Sequence, residues 1–217
     1  MNKLGKYFRD NVWKIQEMFV LGCHLLDCVL KYKKLLKGGA GMEFNDVYDK
    51  HRNRTGKLHR RGTRWKFGEY GMVVCVWVYD GRGNVLLTRR APGKSFAGTW
   101  ENSGGAAKAG ETSIQAICRE LFEETGIRAS AEEFRLIDSG RDRNTHYDFY
   151  CIRKNIPLDQ IRLLPGETDG VKWVTFDQVH GMIHRNEICY VIGRQFLRQE
   201  ALIRACLEEN HTENLYQ

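Results

Sequence analysis

The chain has 217 residues, a formal net charge of +7, and 42% hydrophobic and 11% aromatic residues. That length and apolar content fit one folded domain with an appended element, and they exclude a disordered chain and argue against two full domains. Seven cysteines, an odd number without any C-x-x-C spacing, exclude a disulfide framework and a cysteine zinc site and point to a reduced, cytoplasmic compartment.

Residues 4–37 place Leu4, Phe8, Val12, Ile15, Phe19, Leu26 and Val29 at helical spacing, with Met18, Leu21, Leu25 and Cys28 widening the apolar face. This predicts one long amphipathic helix or two short ones. Three roles are open for residues 1–37: a dimerising or core-packing helix, an interfacial membrane helix, or sequence outside the native enzyme. Lys14, Glu17, His24 and Asp27 interrupt the run too soon for a transmembrane span or a signal peptide. Residues 38–41 (Gly-Gly-Ala-Gly) read as a linker, and Met42 as a candidate start of the domain proper, residues 42–208.

Much of the positive excess falls between Lys50 and Lys66. A phosphate-facing surface and a solvated arm both fit, and the arm is the preferred reading, so nucleic acid is not expected as a partner. The β-branched and aromatic run from Tyr70 to Tyr79 predicts a buried central strand. Asp80–Asn84 turns the chain, and Val85–Arg90 returns as a second strand. Arg89, Arg90 and Lys94 follow, able to grip phosphate through charged donors or to form an ordinary strand end. Trp100 is either core or a wall for stacking a base, and core is preferred.

A capping box, Thr112-x-x-Gln115, opens the next helix, and Gly126 suits the left-handed position that closes it. Ile114, Ile117, Cys118, Leu121, Phe122 and Thr125 share one face. Glu120, Glu123 and Glu124 crowd the opposite face at spacings where like charges destabilise a helix. A hard divalent cation such as Mg²⁺, which also keeps waters and substrate phosphates, would relieve that repulsion.

Strands are expected at Phe134–Arg141, His146–Arg153 and Val171–Phe176, and helices at Asp177–His184 and Tyr190–Leu207. His180 and His184 stand four apart but lack a third zinc ligand, so a surface or capping role is preferred. Residues 209–217 are set aside as a tail, because Glu213-Asn-Leu-Tyr-Gln217 looks like a protease-tag remnant.

The array Gly105-x5-Glu111-x7-Arg119-Glu120-Leu121-x-Glu123-Glu124-x-Gly126-Ile127 resembles the Nudix signature at every defined position. The resemblance spans roughly residues 42–205. It implies an α/β/α sandwich (α+β) around a mixed sheet, and Mg²⁺- or Mn²⁺-dependent hydrolysis of a nucleoside diphosphate linked to another group. It further implies metal ligation by Glu120, Glu124 and the Gly104 carbonyl, with Arg119 orienting a glutamate of the set. Glu167, in a loop before a strand, matches the position of a further metal ligand or base, with Asp169 as the fallback. Glu124, Glu123 and Glu167 all remain candidates for the base, and Arg89, Arg90 and Lys94 for substrate contacts.

Two rivals are carried forward. Leu58-His59-Arg60-Arg61 and Trp100-x-Asn102 also resemble isopentenyl-diphosphate isomerase, which shares the fold but needs a reactive cysteine near Gly104-Gly105. No cysteine lies between Cys75 and Cys118. A non-catalytic nucleotide sensor is the other, although such proteins often lose motif glutamates and these are intact. The diphosphate substrate's second group is not legible.

Overall fold

The long apolar run becomes β3 (Gly71–Tyr79), and alternation along it sorts its side chains onto the two faces of the main sheet. Met72, Val74, Val76 and Val78 enter one core with Ile117 and Leu121, while Cys75, Trp77 and Tyr79 enter another with Phe176, Phe196 and Ile203. The structure, a computed structural model, describes residues 43–213, with side chains to residue 208. The helix expected at 4–37, the linker and residues 214–217 lie outside the described residues.

The main sheet has seven strands, with order β5-β4-β3-β8-β7 and with β6 and β9 pairing on β3 and β4. Around β3 these are β4 (Val85–Arg90), β5 (Trp100–Glu101), β6 (Ser103–Ala106), β7 (Arg135–Asp142), β8 (Thr145–Arg153) and β9 (Thr168–Val174). The sheet is mixed: β3 runs parallel to β8 along its whole length and antiparallel to β6. Helix α1 (Ser113–Thr125) covers one face, and α2 (Phe176–His184) and α3 (Tyr190–Glu213) cover the other. This is the α/β/α sandwich that the signature implied.

Helix α1 is fixed at both ends as its sequence predicts. Thr112 and Gln115 form the reciprocal capping box, and Gly126 takes the left-handed conformation at φ 72°. Ile117 and Leu121 are fully buried, each contributing about 1.5–3 kcal/mol by leaving water. Ala116 is buried too, whereas Cys118 and Phe122 are only half-buried. The α1 face is thus rotated slightly toward Ala116 from the stripe that periodicity picks out.

Residues 44–60 form a hairpin that the composition of this stretch hides. Strands β1 (Phe44–Tyr48) and β2 (Arg54–Arg60) make a separate two-stranded sheet. Six of the seven β2 residues are exposed, so the stretch is solvated as expected, but it is ordered by pairing with β1. Its role is to brace the motif loop: Asn45 donates to the Ala107 carbonyl at 2.6 Å, and the Gly110 N–H donates to Asp46 at 2.9 Å. His59 is buried against Trp65, rings stacked 3.6 Å apart.

At the other end α3 continues to Glu213, into the stretch set aside as a tail. No proline or glycine follows Gly193 to stop it. Buried Gln199 accepts from Trp77 Nε1 at 3.1 Å and donates to Asp138 at 2.8 Å, so its amide is satisfied inside the core. His180 bonds Glu200 at 2.8 Å and ties α2 to α3.

Candidate active site

Arg119 is the hub of the motif. Its Nε and Nη2 donate to the two oxygens of Glu111 at 2.7 and 2.8 Å, a bidentate pair. Its Nη1 donates to Glu120 at 2.8 Å and to Glu123 at 3.1 Å, and Nη2 also reaches the Ala106 carbonyl at 3.2 Å. One guanidinium, placed one turn before Glu123 and beside Glu120, fixes three carboxylates and the strand end that precedes the helix. Burial opposes the charge on Arg119, but Glu111 and Glu120 outweigh it and hold the arginine ionised. Burial likewise opposes ionisation of Glu111, yet Arg119 and the Lys108 N–H bring its carboxyl below the ordinary glutamate range.

Glu124 stands differently. Its carboxylate accepts only a 3.3 Å bond from the Gly104 N–H and help from Ser103, with no arginine or lysine on it. Burial, then Glu120 and Glu101, push its pKa well above the usual value. Glu120 is raised by burial, partly offset by Arg119. Glu101 is raised by burial, partly offset by Arg90, whose Nη1 lies 2.6 Å from both of its oxygens. Three enclosed carboxylates therefore gather around Gly104, and the site is short of positive charge.

Glu101 is the residue that sequence reading misses. It lies upstream of the signature, on the two-residue strand β5, and comes near Glu124 only because β5 and β6 lead directly to Gly104. A carboxylate next to a tryptophan in a glycine-rich approach was the available signal, but it has no periodic pattern to mark it.

Glycine is required at the centre for reasons of space. A Cβ on Gly104 would meet the Val74 carbonyl oxygen at 2.3 Å, and one on Gly105 would meet Glu120 Oε1 at 2.5 Å. The first lets β6 lie against β3, and the second leaves room for the Glu120 carboxylate.

The predicted phosphate grippers are each engaged with acids. Arg89 pairs with Asp169 at 2.8 Å, Arg90 with Glu101, and Lys94 with Glu167. Glu167 is brought to the site by its neighbour: the Thr168 hydroxyl donates to the Glu124 carbonyl oxygen at 3.3 Å. The fallback Asp169 points to Arg89 instead. Trp100 packs on the α2–α3 core, with Lys172 4.0 Å from its ring centroid, so that face is already covered.

A cavity of about 230 Å³ opens beside Gly104 and Gly105, lined also by Arg90, Glu101, Asn102 and Phe96. It lies where the segment Glu187–Cys189 bonds β5: the Trp100 N–H donates to the Glu187 carbonyl and the Cys189 N–H to the Trp100 carbonyl, both at 2.8 Å.

Residues 69–190, more than half of the chain, match the NUDIX domain. The chain belongs to the Nudix family. It is therefore a hydrolase acting on phosphoanhydride bonds. An uncharacterised Nudix hydrolase of Listeria monocytogenes is 30% identical over 143 residues, covering 65% of this chain and 85% of the relative. A crystal structure from Deinococcus radiodurans matches with a TM-score of 0.59 at 22% identity, over 68% of this chain and 92% of that one. A bifunctional NMN adenylyltransferase/ADP ribose pyrophosphatase of Francisella tularensis, complexed with AMP and a manganese ion, matches with a TM-score of 0.51 at 17% identity, over 92% of this chain and 52% of that one.

For a Nudix hydrolase the donor chemistry fits a hard divalent cation. The enclosed carboxylates of Glu120, Glu124 and Glu101 supply oxygen donors, and burial raises the pKa of each. Among the described residues no group of three or more acidic, histidine or cysteine side chains is placed to hold a metal ion. A bound Mg²⁺ would need waters and substrate oxygens to complete its shell.

The isomerase reading meets a thiol that the sequence could not reveal. Cys75 faces Gly104 across the β3–β6 pair, and a Cβ on Gly104 would lie 2.9 Å from its sulfur. Burial, with Glu101, Glu124 and Glu120 adding to it, raises the Cys75 pKa far above the ordinary thiol range. It is held as a neutral thiol, the opposite of an activated one.

Proposed function

We propose that this Nudix hydrolase cleaves a nucleoside diphosphate linked to another group, using Mg²⁺ or Mn²⁺. The observation that carries the reading is the Glu124 carboxylate, enclosed beside Glu120 and Glu101 without a cation of its own. The AMP and manganese ion described with the Francisella neighbour are in keeping with it.

Glu120 and Glu124, with the Gly104 carbonyl, would hold the metal, and Glu101 and Glu167 are candidates for a further ligand. The ion supplies charge neutralisation for the diphosphate and for the developing transition state. Arg119 fixes the Glu120 carboxylate, so that the ligand does not have to be ordered at each turnover. Arg90 and Lys94, now on Glu101 and Glu167, can turn their donors to phosphate oxygens when substrate enters. Glu167 takes the proton of a water whose oxygen bonds to phosphorus as the bond to the leaving phosphate breaks. Glu123 is exposed and held by Arg119 and by Lys108 at 3.6 Å, which suits it to a supporting role.

A product-resolved screen of nucleotide-linked diphosphates with Mg²⁺ and with Mn²⁺ tests the proposal. Release of a nucleoside monophosphate from at least one of them is expected, and Glu124→Gln should abolish it while preserving the fold. Full turnover by that variant would remove the assignment. A cytoplasmic location is proposed from cysteine usage alone. Among the described residues no helix is long and apolar enough to cross a membrane. A homodimer through residues 4–37 remains a proposal from sequence.

A further inference from the structure

The cavity beside Gly104 holds a polar side chain with nothing to bind. Asn102 is 3% exposed, and neither its amide oxygen nor its amide nitrogen has a hydrogen-bond partner. It lines the cavity. A buried amide without partners is costly, by about 1–3 kcal/mol for each unsatisfied group, so an orphan of this kind calls for an explanation in function or in bound solvent. Val73 and Cys75 from β3, Cys189 just before α3 and Ile192 within it give the cavity an apolar side, while Arg90, Ser95 and Glu101 bring polar groups to it.

Phe96 stands at the rim. Its side chain is largely exposed, at 56%, and its backbone is left-handed, at φ 57°. A bulky residue is rarely found in that conformation and is held there at some cost. The turn that enforces it is visible: the Thr99 N–H and hydroxyl both bond the Phe96 carbonyl, at 3.1 and 2.7 Å. The effect is an aromatic ring displayed beside a slot with one apolar side.

We infer that this slot is the seat of the substrate's nucleobase, with the Asn102 amide reading a donor–acceptor pair on the base edge and Phe96 stacking on its face. An amide presents a donor beside an acceptor, the complement of a base edge. Stacking on an aromatic ring is tolerant of which base it is. A volume of about 230 Å³ falls below the roughly 300–1,000 Å³ of pockets that enclose drug-sized ligands, and so suits one ring system rather than a whole nucleotide. Gly104 and Gly105 line the same cavity, which leaves the diphosphate to extend toward Glu120 and Glu124. The inference names the recognised group for the hydrolase reading above and rests on it only for that adjacency.

The test is equilibrium binding, separate from turnover. The α,β-methylene diphosphates of adenosine, guanosine, cytidine and uridine are compared with methylenediphosphonate, which has no base, all with Mg²⁺. Wild type should bind at least one nucleotide about tenfold or more tightly than methylenediphosphonate. Asn102→Leu, close in volume, should lose about tenfold or more of that nucleotide affinity while binding methylenediphosphonate as wild type does. Because no hydrogen bond of the free protein is removed, its melting temperature should not fall. Phe96→Ala should weaken nucleotide binding by about fivefold or more, and as an exposed side chain it leaves folding intact.

Wild type that binds the nucleotides no better than methylenediphosphonate overturns the inference. So does Asn102→Leu with unchanged nucleotide affinity, the result expected if the amide merely holds water. Should Asn102→Leu not fold, Phe96→Ala is judged by the same criterion. Base-dependent binding without hydrolysis of any diphosphate would keep this inference and reject the hydrolytic one.

Discussion

Glu111 and Glu124 belong to one acidic motif, and their carboxyl groups are held on opposite sides of the ordinary glutamate range. Burial opposes ionisation at both. At Glu111 it is outweighed by a bidentate arginine and a backbone N–H; at Glu124 it is reinforced by two neighbouring carboxylates. The same residue type is thus a structural anchor at one end and a charge deficit at the other. What separates them is which cation the fold brings, so the motif cannot be treated as one uniform acidic face.

Removing the deficit should have the largest effect. Glu124→Gln is expected to lower kcat/KM by about a thousandfold or more, roughly 4 kcal/mol of transition-state stabilisation, measured with the best substrate of the screen. Its metal-free melting temperature should match or exceed wild type, because a buried charge has gone. Breaking the anchor is next. Arg119→Met strands Glu111 and Glu120 together and should cost about 2–3 kcal/mol in urea unfolding. That is below the roughly 3–5 kcal/mol for a fully buried pair, since 17% of the arginine side chain is exposed. An unaltered unfolding midpoint would show the hub to be dispensable.

The contrast also sets a pH dependence. Glu124, Glu120 and Glu101 have folded-state pKa values above the usual 4.5. In that window the folded state holds more protons than the unfolded one, so their contribution to stability is greatest below 4.5 and is lost as pH rises through the raised values. Glu111 acts in the reverse sense: its contribution is present above 4.5 and is lost as pH falls through its lowered folded value. Metal-free protein should therefore lose melting temperature on going from pH 5 toward neutrality. Mg²⁺ at about 100 times its Kd should add about 2.7 kcal/mol at neutral pH, and EDTA should remove it. The slope should be shallower in Glu124→Gln, and a Mg²⁺ response equal to wild type in that variant would contradict the metal assignment.

The smallest effects separate two neighbouring acids. Glu167→Gln should slow turnover about 10- to 100-fold as a proton acceptor is lost. Asp169→Asn, which frees only an exposed partner of Arg89, should alter kcat by less than about threefold and stability by under about 1 kcal/mol. Equal effects of the two would displace Glu167 as the base.

Helix α1 and its caps were legible because the capping box, the apolar stripe and the terminal glycine are local instructions that agree with one another. Strand β3 was legible from its continuous apolar run, β4 from the turn at Asp80–Asn84 that precedes it, and β8 from the alternation along His146–Arg153. The β1–β2 hairpin was not, since exposed strands lack an apolar signature and this one draws its order from backbone pairing and from bonds to Ala107 and Gly110. Glu101 was hidden because a two-residue strand has no period. Asn102 was read only as part of a family likeness, because nothing in a sequence tells whether a buried amide finds its partners.

The sequence by itself determined the family, the reaction class and the Glu120, Glu123 and Glu124 set, because a helix fixes the mutual placement of residues three and four apart. Only the tertiary structure decided which carboxylate Arg119, Arg90 and Lys94 each neutralise. It also decided that the Cys75 thiol faces Gly104 and that Asn102 is left with an unused amide beside it. Those pairings depend on β5 and β6, just upstream of α1, meeting β9 from a distant part of the chain, and tertiary proximity sets both the charge and the solvation of each group.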